Sequence, residues 1–199
     1  MLCSNRVLLP GSPSTCTLDT IIVPLPSFLL VATLLLLSLR SKKSPVAIFR
    51  VPYPHWLYNI YLALVFADFA MTILEIARLS AQNLGVGLLP MTSIALLMIL
   101  GLLWIERRGR KRSSSIVLCS YWLFLAVVET VKAVRLNVLD ETIPNKTSSP
   151  NYPASDQLLD NAVMVALDYI FFALESYTVI RMRKVDDSRP LYLNELLNK

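Results

Sequence analysis

The chain has 199 residues, 55% of them hydrophobic and 17% charged, with a formal net charge of +5. An ordinary soluble domain has roughly 45–50% apolar and about 25% charged residues, so the excess apolar surface has to be buried in something other than a protein core. Together with 12 prolines, five glycines and a positive mean hydropathy, this excludes an ordinary soluble globule. It points to an all-α integral membrane bundle, because lipid demands segments that satisfy their own backbone groups.

Residues 1–16 hold no apolar stretch long enough for a cleavable signal before Pro10, Gly11 and Pro13, so the first helix is expected to act as its own insertion signal. That helix is predicted over residues 21–39, with Pro24 and Pro26 in its first turn, where a missing N–H costs least. A proline-marked loop with Arg40, Lys42, Lys43 and Arg50 follows, through Pro54. The second helix is predicted over residues 56–79, interrupted only by Asp68, Glu75 and Arg78. Residues 84–105 carry no charge, and about 22 residues at 1.5 Å each are enough for a hydrocarbon core of roughly 30 Å, which makes the third helix.

Glu106-Arg107-Arg108-Gly109-Arg110-Lys111-Arg112 reads as a tight loop, and Ser113 to Ser115 as the N-cap of a fourth helix over residues 116–135. Residues 137–156, with Pro144, Pro150 and Pro153, read as an exposed loop. The fifth helix is predicted over residues 158–180, with Asp160 at its start and a polar tail after it. The expected organisation is one five-helix membrane domain over residues 1–185 and the cytosolic start of a linker over residues 186–199, with no repeat and no separate soluble domain.

Orientation follows from Lys and Arg in the short loops. One side carries Arg40, Lys42, Lys43 and Arg50, then Arg107, Arg108, Arg110, Lys111 and Arg112, and finally Arg181, Arg183, Lys184, Arg189 and Lys199. The other has Arg6, Arg78, Lys132, Arg135 and Lys146. The N-terminus is therefore expected outside and the C-terminus in the cytosol. Asn145-Lys146-Thr147 is a glycosylation sequon in a loop that this topology places on the outer side, so Asn145 is the glycosylation candidate.

Carboxylates at membrane depth must face protein or water. Asp68 and Glu75 are seven residues apart, as are Asp168 and Glu175, so each pair shares a helix face within about 20°. They read either as a proton or cation path between the second and fifth helices or, preferably, as interhelical polar contacts, with Glu75 reaching Arg78 or Lys132. Glu129 and Lys132 are spaced to pair on the fourth helix, while Lys132 and Arg135 are expected to snorkel outward. The basic run Arg107, Arg108, Arg110, Lys111 and Arg112 reads as a lipid-facing loop that sets topology and suits anionic headgroups. It is too short, and too close to the bilayer, for nucleic acid.

Cys3, Cys16 and Cys119 lack metal or redox spacing, and are read as structural or free, with Cys3 and Cys16 a candidate pair outside the cytosol. His55, beside Trp56, reads as interfacial. Gly85, Gly87, Thr92, Ser93 and Gly101 on the third helix suit close approach of another helix. No phosphate-cradling glycine loop, HExxH, GxSxG or metal-spaced cluster is present, so neither an enzyme nor a bound cofactor is expected.

Leu103-Trp104-Ile105-Glu106-Arg107-Arg108, then Ser113-Ser114-Ser115-Ile116-Val117-Leu118 and Tyr121-Trp122-Leu123-Phe124, resemble the third-to-fourth helix hairpin of a known domain. It is the N-terminal extra membrane domain, transmembrane domain zero, of subfamily C ABC transporters, the group of the multidrug-resistance-associated proteins. Ile73-Leu74-Glu75-Ile76-Ala77 resembles the fungal vacuolar glutathione-conjugate pumps, and Ser14-Thr15-Cys16 is similar to their segment before the first helix. Ser188-Arg189-Pro190-Leu191 falls where their linker to the transport core begins.

The resemblance implies five helices with the N-terminus outside, a vacuolar or plasma membrane location, and roles in targeting, membrane retention and contact with an ABC transporter core. Export of organic anions and glutathione conjugates with ATP belongs to that core, which the resemblance implies should follow. The sequence ends at Lys199 without it, and is read as a truncated or detached product or a free-standing relative. The alternative from another class is a small carrier or channel subunit using Asp68 and Asp168.

Overall fold

The computed structural model describes residues 17, 21–40, 48–49, 53–81, 86–107, 109–142 and 154–197. Among these residues lie five helices and a two-stranded ladder: α1 (Leu25–Arg40), β1 (Ile48–Phe49), α2 (His55–Ala81), α3 (Leu89–Ile105), β2 (Arg110–Lys111), α4 (Arg112–Thr142) and α5 (Ala154–Leu197). Among the described residues the regular structure is helical apart from that ladder.

Local chemistry sets the boundaries. Ahead of α1, the Pro24 carbonyl already accepts from Phe28 N–H at 3.0 Å. Gly87 at φ 57° makes the left-handed turn before α3, a conformation other residues enter at a cost, and Pro90 follows in the first turn. At the other end, Glu106 N–H closes α3 onto Leu102 O at 2.9 Å and Gly109 N–H turns back to Glu106 O at 3.2 Å.

The bundle is closed round in the order α1, α3, α2, α5, α4. The main contacts are α1 with α3 and α4, α2 with α3 and α5, and most extensively α4 with α5. The buried positions of α2, namely Tyr58, Tyr61, Val65, Asp68, Thr72 and Leu79, recur at steps of three, four and finally seven residues and so form one inward stripe. Leu96, Ile99 and Leu103 of α3, Leu118, Trp122 and Leu125 of α4, Phe171 of α5 and Leu30 of α1 fill the centre. Trp122 lies 4.6 Å from Phe171 between ring centroids, and Tyr61 lies 5.5 Å from it.

The outer surface bears Phe66, Leu97, Ile105, Phe124 and Leu159, all largely exposed. A soluble monomer rarely exposes so many large apolar side chains, whereas a bilayer absorbs them. Among the described residues three helices are long and apolar enough to cross a membrane, at His55–Ala81, Arg112–Val138 and Asp156–Val185, with mean hydropathies of 1.9, 1.7 and 1.6. The other two apolar helices, α1 and α3, have 16 and 17 residues. At 1.5 Å per residue they reach about 25 Å, slightly less than a hydrocarbon core of roughly 30 Å.

Several boundaries differ from the sequence expectation. The third helix starts at Leu89 rather than 84, because Gly87 and Pro90 set its start; residues 82–85 lie outside the described residues. Ser113 to Ser115 are inside α4 rather than capping it, since β2 leads straight into the helix at Arg112. The fifth helix continues to Leu197, past the expected end at 180. Hydropathy marks where the apolar window ends, and a helix emerging into water has no reason to stop there. The loop of Arg110 and Lys111 also forms a ladder, pairing antiparallel with β1 in register Ile48↔Lys111 and Phe49↔Arg110. Two-residue strands carry no periodicity to read.

Candidate functional site

The chemistry of the molecule is concentrated in a polar axis inside the bundle. At the end closed by the ladder, β2 turns Arg110 inward, and its Nη2 meets Glu175 Oε1 of α5 at 2.7 Å, with both side chains fully buried. Glu106 lies further off, its Oε2 3.8 Å from Arg110 Nε, and accepts from the Ser114 hydroxyl at 2.9 Å. Tyr61 on α2 donates to Glu175 Oε1 at 2.7 Å, and Trp122 Nε1 on α4 donates to Tyr61 Oη at 3.2 Å. One carboxylate thus gathers α2, α5 and β2, with α4 joined through the indole.

The electrostatics of this end follow from its dryness. Burial pushes the Glu106 carboxyl above the ordinary glutamate range, partly offset by the Ser114 hydroxyl and by Arg110. Burial also works against the charge on Arg110, but Glu175 and the phenols of Tyr61 and Tyr53 outweigh it and hold the guanidinium above its usual pKa. Glu175 is thus the largest of the groups that keep Arg110 charged in this dry setting.

Midway along the axis stand Asp68 on α2, Asp168 on α5 and Glu129 on α4, all three buried. Both Asp68 carboxylate oxygens and Oδ1 of Asp168 are buried without a hydrogen-bond partner among the described residues. Nearby, Ser27 on α1 donates to Thr92 Oγ1 on α3 at 3.3 Å. Toward the far end, Lys132 Nζ lies 2.8 Å from Glu75 Oε1 and 3.3 Å from Glu129 Oε2. Asn161 Nδ2 donates to the Glu129 carbonyl at 2.9 Å, and Arg78 pairs with Asp160 across α2 and α5.

All six intramembrane polar residues singled out from the sequence, Asp68, Glu75, Glu129, Lys132, Asp168 and Glu175, are inward or half-inward on this axis. Glu75 meets Lys132, while Arg78 goes to Asp160 instead. Lys132 does not snorkel outward: it is only 9% exposed, held by two carboxylates. The basic run divides. Arg107 is exposed, Lys111 and Arg112 are half-buried, Arg108 lies outside the described residues, and Arg110 is fully buried rather than lipid-facing, because Glu175 draws it in.

Of the small residues, Gly87, Thr92 and Ser93 are buried within the bundle, Gly101 is exposed on its outside, and Gly85 lies outside the described residues. So do Asn145, Cys3 and Cys16. Cys119 is half-buried, its Sγ 3.4 Å from Ser176 Oγ. Sequence reasoning did not single out Arg110, Glu106, Tyr61, Trp122 or Asn161 as axis residues. The usable signal was the inward stripe of α2, on which Tyr61 precedes Asp68 by seven positions.

Chemically, the axis is a set of ion pairs and hydrogen bonds joining helices. Among the described residues no group of three or more His, Cys, Asp or Glu is placed to hold a metal ion. A helical membrane domain with an apolar exterior and internally paired charges is thus defined. Residues 8–151 match the family of the ABC transporter TMD0 domain, and the chain belongs to that family. It is a transmembrane accessory domain of ABC transporters, distinct from their ATP-hydrolysing domain. No curated protein matches the chain.

Proposed function

We propose that the chain is a non-catalytic accessory domain of the subfamily C, multidrug-resistance-associated type, resembling the fungal vacuolar members and acting by association with a transporter core or another membrane protein. Its work is targeting, membrane retention and partner contact, in a vacuolar or plasma membrane, with residues 186–199 starting the cytosolic linker. One observation carries this reading: the charged groups within the bundle are largely spent on one another, so the surface left for function is an apolar, lipid-facing one. Such a surface recognises other helices and lipids rather than polar solutes.

The test is co-purification in detergent with a subfamily C transporter core lacking its own extra domain, alongside ATP hydrolysis and solute uptake by the chain alone in liposomes. Association without turnover is expected; uptake by the isolated chain overturns the reading. A second reading, a small carrier using intramembrane carboxylates, draws on the unpartnered oxygens of Asp68 and Asp168, and the same uptake assay decides it through loss of transport in Asp68→Asn.

A further inference from the structure

A groove of about 740 Å³ opens on the outer face of the bundle between α2 and α3, with Leu62, Phe66, Leu100 and Gly101 among its lining. A Cβ added at Gly101 would meet nothing within 4 Å, so this glycine does not serve the close approach of any other described part of the chain. The space over it belongs to the groove. Trp104 and Ile105 line the groove and also a neighbouring recess of about 480 Å³, which they share with His55 and Arg107. Hydrocarbon surface and a cationic mouth therefore form one continuous amphipathic slot. Arg107 is steered to it: its Nη2 donates at 3.1 Å to Oδ1 of Asn59, itself a groove residue. Trp104, 64% exposed, sits at the junction, as indoles do at headgroup depth.

We infer that this slot binds an anionic phospholipid, with an acyl chain along Leu62, Phe66 and Gly101 and the phosphate against Arg107 and His55. Charge selects the headgroup, since a guanidinium beside a membrane helix favours an acidic lipid by about fivefold. Shape favours a lipid over a partner helix. Helix backbones approach along stripes of small residues, whereas Gly101 stands between the bulky Leu100, Trp104 and Phe66, around which a flexible chain bends. The site does not depend on which transporter core the domain meets.

The test uses the full chain with Trp56→Phe, which leaves Trp104 as the exposed indole because Trp122 is fully buried. The protein is reconstituted in phosphatidylcholine vesicles containing brominated phosphatidylglycerol or, at equal mole fraction, brominated phosphatidylcholine, and tryptophan quenching is followed. The anionic lipid is expected to quench at about fivefold lower mole fraction, a preference that high salt collapses by screening. Arg107→Gln should abolish the preference, Arg107→Lys should keep it, and Gly101→Leu should reduce quenching by both lipids by filling the groove. Equal quenching by the two lipids in the starting protein, or a preference unmoved by both salt and Arg107→Gln, overturns the assignment. Weak quenching by either lipid, as when a protein helix covers Trp104, overturns it as well.

Discussion

Arg110 and Glu175 meet at 2.7 Å in the interior of the bundle, each fully buried, one contributed by a two-residue strand and the other by the longest helix. Removing one partner of a buried pair strands the other charge, at a cost of about 3–5 kcal/mol, whereas replacing both with apolar groups is often nearly neutral. Arg110→Met and Glu175→Leu should each lower thermal stability in detergent sharply, and the double variant should recover most of the loss. Additive losses would show that the two residues act independently.

Lys132 serves two carboxylates, Glu75 at 2.8 Å and Glu129 at 3.3 Å. Lys132→Met should therefore destabilise by several kcal/mol, on the scale of a broken buried ion pair. Adding Glu75→Gln to Lys132→Met should restore part of it. Melting curves of the three proteins give the comparison, and a Lys132→Met variant as stable as the parent would mean that the lysine neutralises nothing.

Asp68 is 1% exposed, with neither carboxylate oxygen hydrogen-bonded among the described residues. A buried charge without compensation costs more than the amide of the same shape. Asp68→Asn and Asp168→Asn should thus melt at or above the parent temperature. A clear fall in either would reveal a partner that needs the carboxylate.

If the orientation read from the basic loops holds, Asn145 is the glycosylated position and Lys199 is cytosolic. Expression in a eukaryotic host should give a glycosidase-sensitive mobility shift that Asn145→Gln removes. Thiol labelling of a cysteine placed at position 145 from the cytosolic side would reverse the topology.

Much of this was legible in the sequence. Apolar windows fell on each of the five helices among the described residues, and seven-residue spacing put Asp68 with Glu75 and Asp168 with Glu175 on shared faces, because both signals are local. Arg110 was not legible. Within a run of five basic residues its charge looks like that of its neighbours, and only pairing of β2 with Ile48–Phe49, a contact between distant loops, turns it inward. For Lys132 the two partners were legible, Glu129 from its spacing on the same helix and Glu75 from its depth on another, but its burial was not: a lysine near a predicted helix end snorkels by default, and the packing of α2 against α4 that closes over it is a tertiary fact. The continuation of α5 to Leu197 escaped because hydropathy registers lipid, not helicity.

The bond between Glu75 and Lys132 also bears on how the domain is made. Synthesis delivers α2, with Asp68 and Glu75 already in place, two helices before the lysine exists. An aspartate at the centre of a lone helix opposes lateral release into lipid by roughly 2.5–3.5 kcal/mol, and Glu75 adds to that burden until its counter-charge arrives. The burden on α2 is lightened only when α4 brings Lys132 beside Glu75, so the pair ties the energetic fate of the second helix in the bilayer to the arrival of the fourth.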